Sequence, residues 1–109
     1  MVEKAISLAI ERMVRQAPEH EPLPLDPADA DYILHCLAAI SAHFDVDALP
    51  SRPLDQVPGR ELMRTLVDLR ANLRPKTDEQ HEAWALLASA ILRVDVAAAF
   101  AAEWSHRKR

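Results

Sequence analysis

The sequence predicts an all-α domain, a small bundle of four helices with proline-rich connectors. Apolar residues recur at steps of three and four along four separate segments, which is the period of an amphipathic helix. Prolines gather between these segments and are absent from their interiors. Gly59 is the single glycine, so the chain has almost no residues suited to hairpin turns that need a positive φ. A chain of 109 residues fits one domain with one hydrophobic core, and we assign residues 1–109 to it.

The first helix is predicted over residues 2–16. Val2, Ile6 and Met13 belong to an apolar stripe at helical spacing, which Pro18 ends. Residues 18–27 contain four prolines, and each proline disfavours helix in the residue before it. We therefore expect an extended connector at 18–27.

The second helix is predicted over residues 27–44, followed by an irregular loop at 45–57 with one short helical turn. Asp26 is suited to cap this helix, Pro27 suits its first position, and the carboxylate of Asp29 favours the positive first turn. The side of the helix that faces the core is a continuous apolar stripe of Ala30, Ile33, Leu34, Leu37, Ile40 and Phe44.

The third helix is predicted over residues 58–74 and the fourth over residues 78–105. Pro58 suits a first helical position, four leucines then recur at helical spacing, and Pro75 closes the segment. Thr77 and Gln80 match a capping box, in which the two side chains satisfy backbone donors at the start of a helix. No proline or glycine follows, so the fourth helix is predicted to be long.

The fourth helix has two apolar faces. The first contains Trp84, Leu87, Ile91 and Val94, and the second stripe consists of Leu92, Val96, Phe100 and Trp104. One alternative is a central helix that the other three helices surround. The other is that neighbours cover one face only, which leaves the second stripe to bind protein. We expect the second alternative, with a homodimer that completes the bundle.

Two secondary binding candidates lie elsewhere in the chain. Arginines at four positions of the third helix share about a third of its circumference. They are Arg60, Arg64, Arg70 and Arg74. We expect a solvated or internally paired face, and the alternatives are that the arginines meet an acidic protein or phosphates. Leu23 and Leu25 in the connector could dock as an extended arm, or could seal the edge of the chain's own core.

We expect no catalytic, cofactor or metal site. The histidines do not pair at the spacing that places two imidazoles on one helical face, and Cys36 falls among apolar residues of a helix. Arg93 and Asp95 interrupt the most apolar segment, so we expect no membrane span. A single cysteine and no evident signal peptide favour the cytoplasm, and the arginine and alanine content suggests a bacterial source.

These patterns lead us to expect a non-enzymatic regulator that binds protein. In its most specific form, it is a small inhibitor or anti-activator that covers a functional surface of a larger bacterial protein, such as a transcriptional regulator. One alternative is a structural or assembly subunit of a complex. Another is a nucleic-acid-associated protein that uses the arginines of the third helix, which the net charge of −4 disfavours.

Overall fold

The computed structural model describes residues 3–8, 11 and 25–107, and the side chains of this set as far as Phe100. The described residues form four helices packed together and include no strand, which confirms the predicted fold class. The described part of the first helix, α1, covers residues 3–8 and 11. The following helices are α2 (Pro27–Phe44), α3 (Gly59–Asn72) and α4 (Asp78–Arg107), with a short 3₁₀ turn at Leu54–Gln56 between α2 and α3. The predictions for residues 9, 10 and 12–24, which include Leu23 and most of the connector, lie outside the described residues.

The ends of α2 follow from local chemistry. The backbone N–H of Asp29 donates to Oδ1 of Asp26 at 2.9 Å, which confirms Asp26 as the N-cap, and Pro27 is the first helical residue. At the other end Asp45 has a φ of 52° in the left-handed region. Glycine usually takes this position, and aspartate is among the few other residues that tolerate it. The helix thus ends at Phe44, as the sequence predicts.

Two predicted boundaries need correction. Pro58 is the N-cap of α3 and not its first residue, because its ψ of 142° is extended. The helix also ends at Asn72 rather than at Arg74, since Pro75 disfavours helical dihedrals in the residue before it and Leu73 is already extended. By contrast, α4 continues two residues past 105 because nothing in the sequence interrupts it.

The helix α4 is central and packs against both α2 and α3. The start of α4 meets the end of α2, where Nε2 of Gln80 donates to the carbonyl of His43 at 2.9 Å. Farther along, Arg93 pairs with Asp29 near the start of α2, so the two helices are antiparallel. The most deeply buried side chains come from α2, α3 and α4 and include Ile33, Leu37, Ile40, Leu66, Leu87, Ile91 and Val94. Ile6 adds α1 to the same core.

Polar contacts at the edge of the core join α4 to α2 and the following loop to α2. The guanidinium of Arg93 lies 4.1 Å from the centre of the Tyr32 ring in addition to its ion pair with Asp29. After α2 the backbone N–H of Ala48 donates to Oγ of Ser41 at 2.9 Å, which holds the loop against the helix. The contacts of Arg93 with Asp29 and Tyr32 join α4 to α2.

Candidate protein-binding surface

One face of α4 is exposed over its whole described length. Its residues follow one another at steps of three and four, so they share one side of the helix. They are Asp78, Glu82, Ala85, Ser89, Leu92, Val96 and Phe100. The face changes character along the helix, from acidic at its start, through small residues, to large apolar side chains.

The apolar part of this face is the second stripe. Leu92, Val96 and Phe100 are 40%, 67% and 62% exposed, whereas Ile91 and Val94 on the opposite side are fully buried. A single exposed apolar side chain is ordinary, but adjacent ones on a long helix form a patch of the kind that binds protein. The structure thus brings three members of the second stripe together on the surface. Position 104 lies in the same helix, and the side chain of Trp104 is outside the described set.

The stripe is exposed because it lies on the side of α4 that faces away from the core, since Ala97 and Ala98 at the same level of the helix are buried. The helix is also longer than its neighbours. At 1.5 Å per residue α4 spans about 45 Å, against about 27 Å for α2 and about 21 Å for α3. Since α2 is antiparallel and Arg93 already reaches Asp29, the start of α2 lies level with about Val96. The last turns of α4 therefore extend past the start of α2.

The arginines of α3 do not form one free cationic surface. Arg70 is only 13% exposed on its side chain and donates to both carboxylate oxygens of Glu3, at 2.9 and 3.1 Å. Its guanidinium also lies 4.3 Å from the centre of the Trp84 ring, whose indole N–H donates to the Arg70 carbonyl at 3.2 Å. Arg74 follows the end of α3 and donates to the backbone carbonyls of Ala71 and Leu73. Arg60 is half-buried, and Arg64 is exposed.

The contacts of Arg70 could not have been identified from the helical spacing of α3. They depend on Trp84 and Glu3, which belong to two other helices. Among the connector residues, Leu25 is partly buried against the core. This placement matches the alternative in which the connector seals the edge of the domain, while the arm hypothesis for Leu23 stays a prediction.

A groove that sequence reasoning missed lies between α3 and the loop after α2. Its volume is about 220 Å³, below the size of a usual ligand pocket. Arg52 and Glu61 line it and form an ion pair. Its apolar lining includes Leu37, Ala48, Leu49, Val57 and Leu62. No sequence signal predicts it, because the loop and two helices assemble it in three dimensions.

The helix segment Asp78–Phe100 is long and apolar enough to cross a membrane by length and composition alone, a test that core helices of soluble proteins also pass. Of its most apolar window, 44% is buried inside the protein. Arg93 and Asp95 lie within the segment, and Arg93 is paired with Asp29 of α2. The buried apolar side chains of α4 are thus accounted for by packing against α2 and α3.

Chemically reactive groups do not gather in the described part of the chain. Cys36 is fully buried, and this burial raises the pKa of its thiol from 9.0 to about 11, so the thiol is uncharged near neutral pH. Within residues 3–8, 11 and 25–107, no three histidine, cysteine or carboxylate residues are placed to hold a metal ion. No family model, curated protein or solved structure matches the chain. The function is therefore inferred from the geometry described above.

Proposed function

We propose that this protein is a non-enzymatic regulator that binds protein through the second stripe of α4. The observation that carries the proposal is the pair of opposite faces on one helix. Ile91 and Val94 are fully buried, yet Leu92 and Val96 beside them are exposed. Covering large apolar side chains removes them from water, and this is the main favourable term in protein association.

The spacing of the second stripe suits a helix-mediated interface. Leu92, Val96 and Phe100 stand at i, i+4 and i+8, which is the arrangement of side-chain anchors on a helix that packs against another helix or into a groove. In the fullest form of the proposal, the protein is cytoplasmic and its dimer inhibits a larger bacterial protein, such as a transcriptional regulator, by covering a functional surface. An assembly subunit would use the same stripe.

The arginines support protein binding over nucleic-acid binding. Phosphate recognition draws on cationic side chains that are free to reach the ligand. Arg70 is held by Glu3 and Trp84, and Arg74 donates to backbone carbonyls at the end of α3. The exposed face of α4 carries the acidic residues Asp78 and Glu82, which would repel phosphates.

The proposal is tested by affinity capture from cells that contain two differently tagged copies of the chain. Phe100→Glu places a charge in the second stripe, and Leu49→Glu is the matched control, since Leu49 is 46% exposed in the loop after α2. We expect the unchanged chain and the control to retain a protein partner, either the other tagged copy or a larger protein. The Phe100→Glu chain should lose at least about 90% of that partner, because burying an unpaired charge is costly.

Circular dichroism of both variants checks that helicity is unchanged. Equal capture by the Phe100→Glu chain, or no saturable partner for the unchanged chain, would contradict the proposal. A captured larger protein is then assayed with and without the purified chain. Loss of its activity on addition of the chain supports the inhibitor form, whereas unchanged activity in a stable complex supports an assembly subunit.

A further inference from the structure

Resting on the proposed function, we infer that the partner of the second stripe is a second copy of this chain, packed antiparallel about a two-fold axis at Val96. Leu92 and Phe100 each stand four residues from Val96, one on either side. Rotation about this axis therefore sets Leu92 opposite the partner's Phe100 and Val96 opposite the partner's Val96. Leu92, Val96 and Phe100 are complementary to the same three residues of the second copy in this register, as a two-fold interface requires.

The residues on either side of the stripe fit the same register. Seven residues before Val96 the exposed face carries Ser89, and eleven residues before it carries Ala85. These small side chains come opposite positions 103 and 107 of the partner helix, where the sequence has Glu and Arg. Small residues facing long ones allow two helices to approach closely, in the way that knobs fill holes.

Charge along α4 favours the antiparallel arrangement over a parallel one. The exposed start of the helix carries Asp78, Glu79 and Glu82, whereas the sequence at 106–109 reads His-Arg-Lys-Arg. In the antiparallel pair, position 107 lies opposite the partner's Ala85, about one turn from the partner's Glu82. A parallel pair would instead set acidic starts beside each other and basic ends beside each other. The interaction between the two helix dipoles also favours the antiparallel arrangement.

The change of charge along α4 also indicates what kind of partner covers the exposed face. An unrelated protein would need its own surface with an apolar centre, a basic flank on one side and an acidic flank on the other. A second copy of α4 supplies that pattern in the required order, because its sequence runs from acidic at 78–82 through apolar to basic at 106–109, with Glu103 opposite the uncharged Ser89. The charge complementarity and the symmetry of the stripe therefore both point to self-association.

Cysteine cross-linking tests the register. In a chain with Cys36→Ser, Val96→Cys lies on the proposed axis, so two copies should form a disulfide under mild oxidation. Ser89→Cys is the matched control, because antiparallel copies hold the two residues 89 about 21 Å apart along the axis, too far for a disulfide. We expect at least about a tenfold higher linked fraction for Val96→Cys. A mixture of Ser89→Cys and Glu103→Cys chains should link to each other.

Sedimentation and the two-tag capture accompany the cross-linking, with circular dichroism for each variant. A dimer in which Ser89→Cys links as well as Val96→Cys overturns the antiparallel register, while the protein-binding proposal stands. If the chain stays monomeric at about 100 µM and still captures a different protein, the second-copy inference alone is overturned. A monomer that captures nothing overturns both.

Discussion

Arg70 and Cys36 show how the surroundings of a residue decide its chemistry. Arg70 looks in sequence like one of four arginines on a solvated face, but Glu3 and Trp84 hold it between α1 and α4. Cys36 could be a nucleophile by residue type, yet it is fully buried in α2. Its thiol is surrounded by core residues, and removal from water disfavours the thiolate.

The raised pKa of Cys36 predicts a pH dependence of stability. The thiol titrates near 9.0 when exposed and near 11 when buried, so between these values the unfolded chain loses a proton that the folded chain keeps. Stability is therefore unaffected by this group below about pH 8 and falls as the pH rises from about 9 to 11. We expect the urea midpoint of the unchanged protein to fall more between pH 8 and pH 10.5 than that of Cys36→Ala.

Cys36→Ala also removes buried volume, which lowers stability by a similar amount at every pH. The difference between the two pH profiles isolates the thiol, since every other ionisable group is common to both proteins. Parallel profiles for the two proteins would mean that Cys36 ionises in the folded state as easily as in water.

The helices begin and end where short-range chemistry stops them. At the start of α4 the N–H of Gln80 donates to Oγ1 of Thr77 at 3.1 Å, and Oε1 of Gln80 accepts from the N–H of Thr77 at 3.2 Å and of Lys76 at 2.8 Å. This confirms the capping box that the sequence predicts. The same glutamine donates to His43 at the end of α2, so the cap also fixes α4 against its neighbour.

Removing the cap should destabilise the whole protein because α4 is its central helix. We expect Thr77→Ala to lower the free energy of unfolding by about 0.5–2 kcal/mol, from the loss of the hydroxyl that the Gln80 N–H donates to. Thr77→Ser keeps an oxygen at that place and should change stability by less than about 0.5 kcal/mol. Urea unfolding followed by circular dichroism measures both, and equal losses for serine and alanine would show that the hydroxyl is not the stabilising group.

At the scale of the whole molecule, we expect the two faces of α4 to contribute to different properties. Ile91 and Val94 join α2 and α3 through one core, while Val96 and Phe100 face outward. The inward face should determine the stability of each chain, and the outward face should determine association between chains.

Two alanine variants on α4 separate these contributions. Ile91→Ala should lower the free energy of unfolding by about 2–5 kcal/mol at every chain concentration, because it leaves a cavity in the core. Val96→Ala should leave the stability of the single chain within about 0.5 kcal/mol, since alanine favours helix and the site is exposed. It should reduce the rise of Tm with chain concentration that accompanies dimer formation.

Thermal unfolding at chain concentrations from about 1 to 100 µM distinguishes the two effects. A Val96→Ala chain whose Tm falls at the lowest concentration as far as that of Ile91→Ala would assign Val96 to the core of the monomer. In that case both faces of α4 would contribute to the stability of the single chain.

The sequence by itself determined the fold class, the order of the helices and most of their ends. Asp26, Thr77 and the prolines act on backbone within one turn, so their effects follow from local spacing. The sequence also predicted that the second stripe is the uncovered face of α4, and Leu92, Val96 and Phe100 are exposed. The tertiary structure alone decided how Arg70 is held and that a groove forms beside Leu49. Those two outcomes depend on how segments distant in sequence pack together, and local periodicity does not contain that information.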